Sequence, residues 1–461
     1  MDIKLYNTLS RQKEEFEPIV NGKVGLYSCG PTVYLRASIG NFRAYLFVDL
    51  LKRSLMINGL KVKHIMNITD VGHLVGDSSD GEDKLEKTSR QTGETAWDIA
   101  KKYTDLFVKD MARLNMIAPT VLPRATEHIK QQIELVKTLE EKGFTYQTSD
   151  GIYFDTSKLA DYGKLSGQKL EDKQEGARVE INAEKKNSTD FALWKFSPKY
   201  EKRQMEWESP WGIGFPGWHV ECSAMSEEYL GVPFDIHTGG IDLIPVHHTN
   251  EIAQTEAARG KPLANIWMHN EFLLINGGKM SKSLGNVYSL DDLQEKGFEP
   301  LSYRYLLLGA HYRQMQNFTW AALEASQNAL DKLRKIIIEL PHGSEVSEGY
   351  LEKFLVHVND DLDLPGALSI LWQMLKDDQV SDEIKYATAL KFDEVFGFGL
   401  SELKKAKIEI SDEVHDLLEL RLKARAEKNW ELSDQIRDKI LEHGFEVKDT
   451  ADGQELNPIV G

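Results

Sequence analysis

The fold of this chain is decided by the stretch Lys23-Val24-Gly25-Leu26-Tyr27-Ser28-Cys29-Gly30 and by the residues that follow it up to position 70. Apolar residues alternate along the stretch before a Cys-Gly-Pro turn, which predicts a strand that ends at a loop. An apolar stripe with helical spacing then runs from Phe42 to Met56, and Asn58-Gly59 closes it. Residues 61–70 predict a second strand. A strand, a helix and a strand in this order form a βαβ unit and therefore a parallel sheet.

Ligands of parallel sheets gather where the strands reach their carboxyl ends. Cys29 and Thr69 come at the ends of the two predicted strands, so the sequence places both at this edge. The predicted fold class is α/β, with a Rossmann-type sheet domain that contains an insertion. Changes of pattern divide the chain into the first half of the sheet domain (residues 1–117), the insertion (118–209), the second half (210–270), a segment with a lysine-rich loop (271–318), a helical bundle (319–408) and a small C-terminal unit (409–461).

The composition restricts the classes of protein to which the chain can belong. A formal net charge of -17 argues against nonspecific binding of nucleic acid over the whole surface, so any RNA must be bound by local patches and by shape. No apolar run reaches about 18 residues, and the first residues lack the layout of a secretory signal. We therefore expect a cytoplasmic protein without a membrane span. The two cysteines, Cys29 and Cys222, lie far apart, and a disulfide scaffold is not expected.

The most specific local pattern is Lys279-Met280-Ser281-Lys282-Ser283, which Gly277-Gly278 precedes and Leu284-Gly285-Asn286 follows. Two lysines, two hydroxyls and flanking glycines predict a mobile cationic loop. Such a loop can close on a triphosphate and stabilise the charge that develops at the α-phosphorus and on the leaving pyrophosphate. The alternative is a solvated polar loop without a ligand.

This pattern resembles the KMSKS signature of class I aminoacyl-tRNA synthetases, which activate an amino acid with ATP on a Rossmann-type sheet. Their second signature, HIGH, lies at the start of the first helix, where free N–H groups and the helix dipole attract phosphate. The matching residues here are Ser38-Ile39-Gly40-Asn41. Gly40 keeps the place where the nucleotide must approach the backbone, and Asn41 is an acceptable variant of the last position.

Ser38 departs from the signature, because a serine is shorter than the family's histidine and carries no positive charge. Removal of one positioned donor of this kind can lower a rate about a hundredfold. The substitution predicts an enzyme that is slow, that uses a compensating group, or that has lost activation altogether.

A second constellation combines the two cysteines with His247 and Glu251, which are four residues apart and would share one face of a helix. Two thiolates, an imidazole and a carboxylate form a plausible zinc set, whereas the alternative is two unrelated buried thiols and a structural histidine. Together with the signatures, the loops around these residues resemble the cysteinyl-tRNA synthetase family over nearly the entire chain. Further matching stretches are Asn67-Ile68-Thr69-Asp70, Gly81-Glu82-Asp83-Lys84, Asp190-Phe191-Ala192-Leu193-Trp194-Lys195 and Asp235-Ile236-His237.

The resemblance implies one zinc ion per chain with Cys29, Cys222, His247 and Glu251 as its ligands. A soft thiolate binds zinc far better than an alcohol does, so an open position on the metal would accept cysteine and reject serine or alanine. The strength of that bond makes an editing domain unnecessary.

The resemblance also implies roles for residues around the metal. Thr69, Trp218 and His237 would line the amino-acid pocket, and Asp242 would lie near the ribose of ATP. Lys279 and Lys282 would stabilise the charge on the phosphates, and Mg²⁺ would accompany ATP.

The C-terminal unit contains Arg425, Trp430, Asp434 and Asp449, at places where members of the family contact the anticodon. Trp430 offers a stacking face and Arg425 a planar donor, which suits unstacked single-stranded bases. The alternative is a helical cap with a core tryptophan. Relatives often end with Gly-Thr-x-Trp, but this chain has Gly453-Gln454-Glu455-Leu456, so the finer anticodon contacts differ.

The function that the resemblance implies is ATP-dependent activation of L-cysteine and its transfer to tRNA(Cys) by a monomeric enzyme. Two alternatives remain open at this point. The chain could join activated cysteine to an amino sugar, as homologous ligases do, or it could be an impaired paralogue in which Ser38 has ended catalysis.

Overall fold

The computed structural model describes residues 2–71, 83–167, 183–198, 203–281, 284–404, 411–450 and 453–458. The chain forms two compact units, Met1–Ser401 and Glu402–Gly461. Among the described residues, no helix has both the length and the apolar character that a membrane span requires.

Strands and helices alternate through most of the chain. The strands are β1 (Lys4–Asn7), β2 (Gln12–Glu15), β3 (Lys23–Ser28), β4 (Lys61–Met66), β5 (Thr145–Gln147), β6 (Gly151–Phe154), β7 (Phe191–Phe196), β8 (Gly214–Pro216), β9 (Phe234–Gly240), β10 (Ala264–Asn270), β11 (Leu273–Ile275), β12 (Gly278–Lys279), β13 (Gln316–Phe318), β14 (Phe445–Thr450) and β15 (Gly453–Pro458). The helices are α1 (Ile39–Ile57), α2 (Lys84–Thr92), α3 (Ala96–Arg113), α4 (Ile129–Glu141), α5 (Trp218–Leu230), α6 (Thr249–Arg259), α7 (Leu290–Glu295), α8 (Pro300–Leu308), α9 (Trp320–Glu339), α10 (Glu348–Asn359), α11 (Leu364–Lys376), α12 (Asp382–Phe396), α13 (Asp412–Ala426) and α14 (Trp430–Glu442).

The centre of the first unit is a parallel sheet with the strand order β4-β3-β9-β10. Helix α1 joins β3 to β4, and α6 joins β9 to β10, so each half of the sheet is a βαβ unit. The halves meet where β3 pairs with β9, with Tyr27 opposite His237. The strand order reverses at this point, and doubly wound sheets bind their ligands at such a switch point.

The predicted α/β class and the predicted βαβ unit are confirmed, although both strands end earlier than expected. Gly30 and Asn67 leave the ladder because they bind each other, with Gly30 N donating to Asn67 Oδ1 at 2.9 Å. A Cβ at Gly30 would lie 1.7 Å from the carbonyl oxygen of Asn67, so this approach of two loops requires glycine.

An antiparallel sheet with the order β5-β6-β7-β8 forms the insertion, and α4 packs against its edge and against α5. Strand β8 pairs with β7 up to Pro216, so this sheet extends beyond position 209, where the sequence placed the boundary. Strand β8 was not predicted, because three residues are too few to show an alternating pattern of apolar and polar residues.

The C-terminal unit consists of α13, α14 and the hairpin β14-β15. Ser411 caps α13 by accepting a hydrogen bond from Val414 N. A small core between the elements of this unit is formed by Ala424, Ile436, Ile440 and Val447.

Candidate active site

A cavity of about 600 Å³ opens at the carboxyl ends of the parallel strands. The loop after β3, the first turn of α1 and the residues that follow β9 and β10 form its wall. Most of the site residues predicted in the first unit line this cavity, namely Cys29, Ser38, Gly40, Asn41, Thr69, Trp218, Cys222, Asp242, His247 and Lys279.

Four of the predicted residues converge at one end of the site, and we call Cys29, Cys222, His247 and Glu251 the thiol cluster. One ligand atom from each lies within 4.8 Å of the others. Cys29 follows β3, Cys222 lies on α5, and the other two flank the start of α6. His247 Nε2 lies 3.1 Å from Glu251 Oε1, as expected for residues four apart on one helical face. The pairing of β3 with β9 therefore brings together side chains that are distant in the sequence.

A second group of four ligand atoms also lies within 4.8 Å, from Cys29, His237, His248 and Glu251. The two groups share Cys29 and Glu251 and differ in whether their other two residues are accessible from the cavity. Cys222 and His247 line the cavity, whereas His237 and His248 are fully buried behind it. A ligand in the cavity could reach an ion held by the thiol cluster. The thiol cluster therefore suits a metal that binds the substrate better than the second group does.

The thiol cluster also fits zinc by its chemistry and its spacing. Ligand atoms of a tetrahedral zinc ion lie roughly 3.3–3.8 Å apart, so atoms already within 4.8 Å of one another need only small side-chain movements. Sulfur, imidazole and carboxylate ligands are those that zinc prefers.

Electrostatics inside the thiol cluster favour the anionic forms of Cys222 and Glu251, whereas burial and the neighbouring Cys222 raise the pKa of the Cys29 thiol. A hydrogen bond with Cys29 is the largest cause that lowers the pKa of Cys222, to about 6, although burial opposes it. Burial would raise the pKa of Glu251, but the neighbouring His237 and His247 lower it to about 2. Burial would lower the pKa of His247, but the neighbouring Cys222 and Glu251 raise it to about 10, so the cluster favours a cation beside its anions, either an imidazolium or a metal ion.

Neighbouring side chains fix the orientation of the cluster. His219 Nδ1 lies 3.0 Å from His247 Nδ1, which directs Nε2 of His247 toward Glu251. His237 Nε2 lies 2.8 Å from Glu251 Oε2, and its ring stacks on Trp267 at 4.4 Å. The sequence led us to expect His237 in the pocket wall, but its side chain supports Glu251 from behind. Contacts of this kind orient metal ligands.

Thr69 and Trp218, which the resemblance implied for the amino-acid pocket, both line the cavity. Asn67 Nδ2 donates to Thr69 Oγ1 at 3.0 Å and holds this hydroxyl in place. The ring of Trp218 lies 4.2 Å from the ring of His247, so its face borders the thiol cluster.

The other end of the cavity contains the first turn of α1. Ser38 N and Ser38 Oγ both donate to Asn41 Oδ1, at 2.9 and 2.8 Å, and Asn41 N donates to Ser38 Oγ at 3.3 Å. Ser38 therefore caps the helix. A Cβ at Gly40 would lie 3.1 Å from both Sδ and Cε of Met280, so the predicted lysine loop packs directly on this turn.

The lysine loop, residues 279–286, begins at Lys279, the last residue of β12. The side chain of Lys279 is exposed and lines the cavity. Lys282, like Gly81 and Glu82 of a matching stretch, lies outside the described residues. Asp242, in the residues after β9, lines the cavity on the side of the second half of the sheet.

The predicted anticodon residues lie on the C-terminal unit. Trp430 is 56% exposed, so it is not the core tryptophan of the alternative interpretation. The guanidinium of Arg425 lies 5.5 Å from this ring and 2.9 Å from Asp449. Asp434 pairs with Arg437 at 3.3 Å. Asp449 also accepts from the buried Arg421, which the sequence did not identify.

Comparison with known proteins decides the family. The model of the tRNA synthetases class I (C) catalytic domain matches residues 15–328, and that of the cysteinyl-tRNA ligase anticodon binding domain matches residues 408–456. A cysteine–tRNA ligase of Burkholderia lata is 51% identical over 99% of this chain and 97% of its own length. The chain belongs to the cysteine–tRNA ligase family. A cysteine–tRNA ligase of Treponema denticola is 44% identical over 98% of both chains.

Solved structures of other synthetases share the fold of this cysteine–tRNA ligase family member. Methionyl-tRNA synthetase of Mycobacterium tuberculosis, in complex with methionyl-adenylate, is 16% identical and covers 81% of this chain and 89% of its own, with a TM-score of 0.55. A leucyl-tRNA synthetase of Agrobacterium radiobacter is 11% identical and covers 84% of this chain and 85% of its own, with a TM-score of 0.60. These structures show the Rossmann-type fold, whereas the family model and the relatives show the class of enzyme, an aminoacyl-tRNA synthetase.

The sequence of this cysteine–tRNA ligase family member did not identify the residues that contact and orient the site residues. His219 precedes Cys222 by three positions on α5 and could have been found by its helical spacing. The contacts of Asn67 with Thr69 and of Met280 with Gly40 had no signal in the sequence, because they depend on how loops meet.

Proposed function

We propose that this chain activates L-cysteine with ATP and transfers it to tRNA(Cys), and that it selects cysteine with a zinc ion held by the thiol cluster. The convergence of Cys29, Cys222, His247 and Glu251 at the end of a nucleotide-sized cavity carries this proposal. When bound, zinc would coordinate the thiolate of the substrate, a bond that serine and alanine cannot form with comparable strength. Cys29, Cys222, His247 and Glu251 would hold the ion at the wall of the cavity.

In the first reaction the cysteine carboxylate attacks the α-phosphorus of ATP, the bond to pyrophosphate breaks, and cysteinyl-adenylate forms. Nothing in this step requires a nucleophile from the protein. Lys279 would stabilise the charge on the phosphates, together with Lys282 and with Mg²⁺ that accompanies ATP. The backbone N–H of Gly40, in the first turn of α1, would donate to a phosphate oxygen, and Asp242 would contact the ribose.

Thr69 and Trp218 would form the walls around the substrate cysteine. His237 would act through Glu251, since its imidazole contacts that carboxylate and not the cavity. In the second reaction, a hydroxyl of the 3′-terminal ribose of tRNA attacks the carbonyl carbon and AMP leaves.

The C-terminal unit favours tRNA over an amino sugar as the acceptor. Residues 408–456 match an anticodon-binding domain, and an acceptor as small as a sugar has no use for one. We propose that Trp430, Arg425, Asp434 and Asp449 contact the anticodon. The exposed ring of Trp430 supports this role because a stacking surface must be accessible to bases.

The metal and the reaction can be tested with the purified protein. We expect about one zinc ion per chain by elemental analysis and pyrophosphate exchange that depends on cysteine but not on serine. Cys222→Ser should lose most of the zinc, whereas Ser226→Ala, on the same buried helix, should retain it.

Two outcomes would contradict the proposal. A protein without stoichiometric zinc would remove the basis of amino-acid selection. A protein that binds zinc but shows no exchange, either as it stands or as Ser38→His, would be an impaired paralogue.

A further inference from the structure

Four charged side chains join the loop after β3 to the helix that follows the lysine loop, and we call them the Arg36 network. Arg36 lines the cavity just before α1. Its Nε and Nη2 donate to Asp110 of α3 at 3.1 and 2.9 Å. Its Nη1 and Nη2 donate to Asp291 of α7, the second at 2.9 Å. Arg113 of α3 contacts the same carboxylates, Asp110 at 2.6 Å and Asp291 at 2.8 Å.

A backbone hydrogen bond attaches the same segment to the start of α1, and the side chain of Arg113 attaches it to α3. Ile39 N, in the first turn of α1, donates to Tyr288 O at 2.8 Å. Arg113 Nη2 donates to Leu290 O at 3.3 Å and to Gln294 Oε1 at 2.6 Å. The residues that leave the lysine loop are therefore fixed to the helix end that would receive the phosphates.

The side chain of Asn286, within the lysine loop, links this segment to Lys279 by two hydrogen bonds. Asn286 Oδ1 accepts from Ser281 N at 2.7 Å, and Asn286 Nδ2 donates to Lys279 O at 3.2 Å. We call residues 286–291 the stem of the lysine loop. A displacement of the stem would thus move Lys279 as well.

The Arg36 network differs from an ordinary surface ion pair, which contributes little to stability. The side chain of Asp110 is 1% exposed and that of Arg36 is 24% exposed, so solvent screens this pair poorly, whereas Asp291 is 46% exposed and is held by donors from both Arg36 and Arg113. Arg36 meets each carboxylate with two donors, a geometry that fixes orientation as well as distance. The hydrogen bond from Arg36 is also the main reason that the pKa of Asp291 is lowered.

We propose that Arg36 is a positioning residue for amino-acid activation, which holds the stem of the lysine loop at the start of α1 through Asp291. Lys279 and the first turn of α1 then keep a fixed separation across the cavity. The inference rests on the proposed function, since ATP is the ligand whose phosphates both elements would contact. Arg36 does not replace the missing histidine at position 38, because its guanidinium is engaged by two carboxylates.

The test compares four full-length proteins, which are the unmodified chain, Arg36→Lys, Asp291→Asn and the control Asp105→Asn. Arg36→Lys keeps the charge but loses the paired donors. Asp105→Asn removes a 2.7 Å ion pair with Lys101 on the same helix α3, away from the lysine loop. Two measurements are made, namely the rate of tryptic cleavage after Lys279 without ligands and the steady-state parameters of pyrophosphate exchange.

We expect both network variants to be cleaved about tenfold faster after Lys279, because losing a charge-assisted hydrogen bond releases the stem. Their kcat/KM for ATP should fall about tenfold, whereas KM for cysteine should not change, since the thiol cluster is untouched. The control should match the unmodified chain in both measurements.

Equal cleavage in all four proteins, or a rise in KM for cysteine that parallels the loss for ATP, would overturn the inference. If Asp291→Asn does not fold, Arg36→Lys decides the result alone. Absence of exchange in the unmodified chain would refute the proposed function, but the cleavage rates would still decide whether the network holds the loop.

Discussion

The hydroxyl of Ser38 is committed to Asn41, from which it accepts one hydrogen bond and to which it donates another. The residue that departs from the family's signature therefore caps α1 and keeps its first turn in place. Its contribution to the helix does not depend on positive charge. The backbone N–H of Gly40 and the side-chain amide of Asn41 line the cavity in this turn, and these groups suit an anion but carry no full charge.

Ser38→His should therefore raise the rate of pyrophosphate exchange, by roughly tenfold, because it adds a charged donor at the phosphate end of the cavity. It should also reduce the free energy of unfolding by about 1 kcal/mol, because the capping hydroxyl is lost. Exchange rates and denaturant unfolding would measure the two effects.

Ser381→Ala is the matched control for stability, since Ser381 caps α12 by accepting from Ile384 N. It should lower stability by a similar amount and leave the exchange rate unchanged. An exchange rate of Ser38→His at or below that of the unmodified chain would show that the backbone groups of α1 suffice.

At the scale of the elements, α1 and the lysine loop meet at Gly40. A Cβ there would lie 3.1 Å from Met280, close enough that the loop must move away. Gly40→Ala should stabilise α1 by up to about 1 kcal/mol through its helix propensity, yet lower kcat/KM for ATP severalfold.

Two variants would separate these effects. Gly349→Ala, in the second position of α10 where a Cβ meets nothing within 4 Å, should increase stability without changing exchange. Met280→Ala combined with Gly40→Ala should restore part of the lost activity. If the double variant is no faster than Gly40→Ala alone, the contact with Met280 is not the cause.

The elements also show what the sequence could predict. The apolar alternation before Cys29 and the stripe from Phe42 to Met56 predicted β3 and α1, because local periodicity reflects burial on one face. The thiol cluster needed a resemblance to the family, since no pattern relates Cys29 to Cys222 across the insertion. The Arg36 network was not predicted, because charged residues such as Arg36 and Asp291 are usually solvent-exposed. They meet only after the loop before α1, helix α3 and helix α7 have packed together.

At the scale of the whole molecule, each of the two units should affect a different measurement. Trp430→Ala should lower kcat/KM for tRNA(Cys) in aminoacylation about tenfold or more, since a stacked base contributes roughly 1–3 kcal/mol. Cysteine-dependent pyrophosphate exchange, which needs only the first unit, should not change.

Leu441→Ala serves as the control. Leu441 is an exposed residue of the same helix α14, so this substitution also removes apolar surface, but it does not remove an aromatic ring. It should leave both reactions near their original rates. Equal loss of exchange and aminoacylation in Trp430→Ala would indicate a general folding defect and contradict a role in tRNA binding.

The adjacency of β3 and β9 has a consequence for how the molecule is made on the ribosome. Cys29 is translated early, with β3, but Cys222 and Glu251 lie on the helices that flank β9 and are translated much later. A nascent polypeptide that stops before Cys222 carries one of the four donors, and one that stops before position 251 still lacks the carboxylate. The complete set of donors therefore exists only after the start of α6 has been translated, and a premature stop codon upstream of α6 yields a product without Glu251.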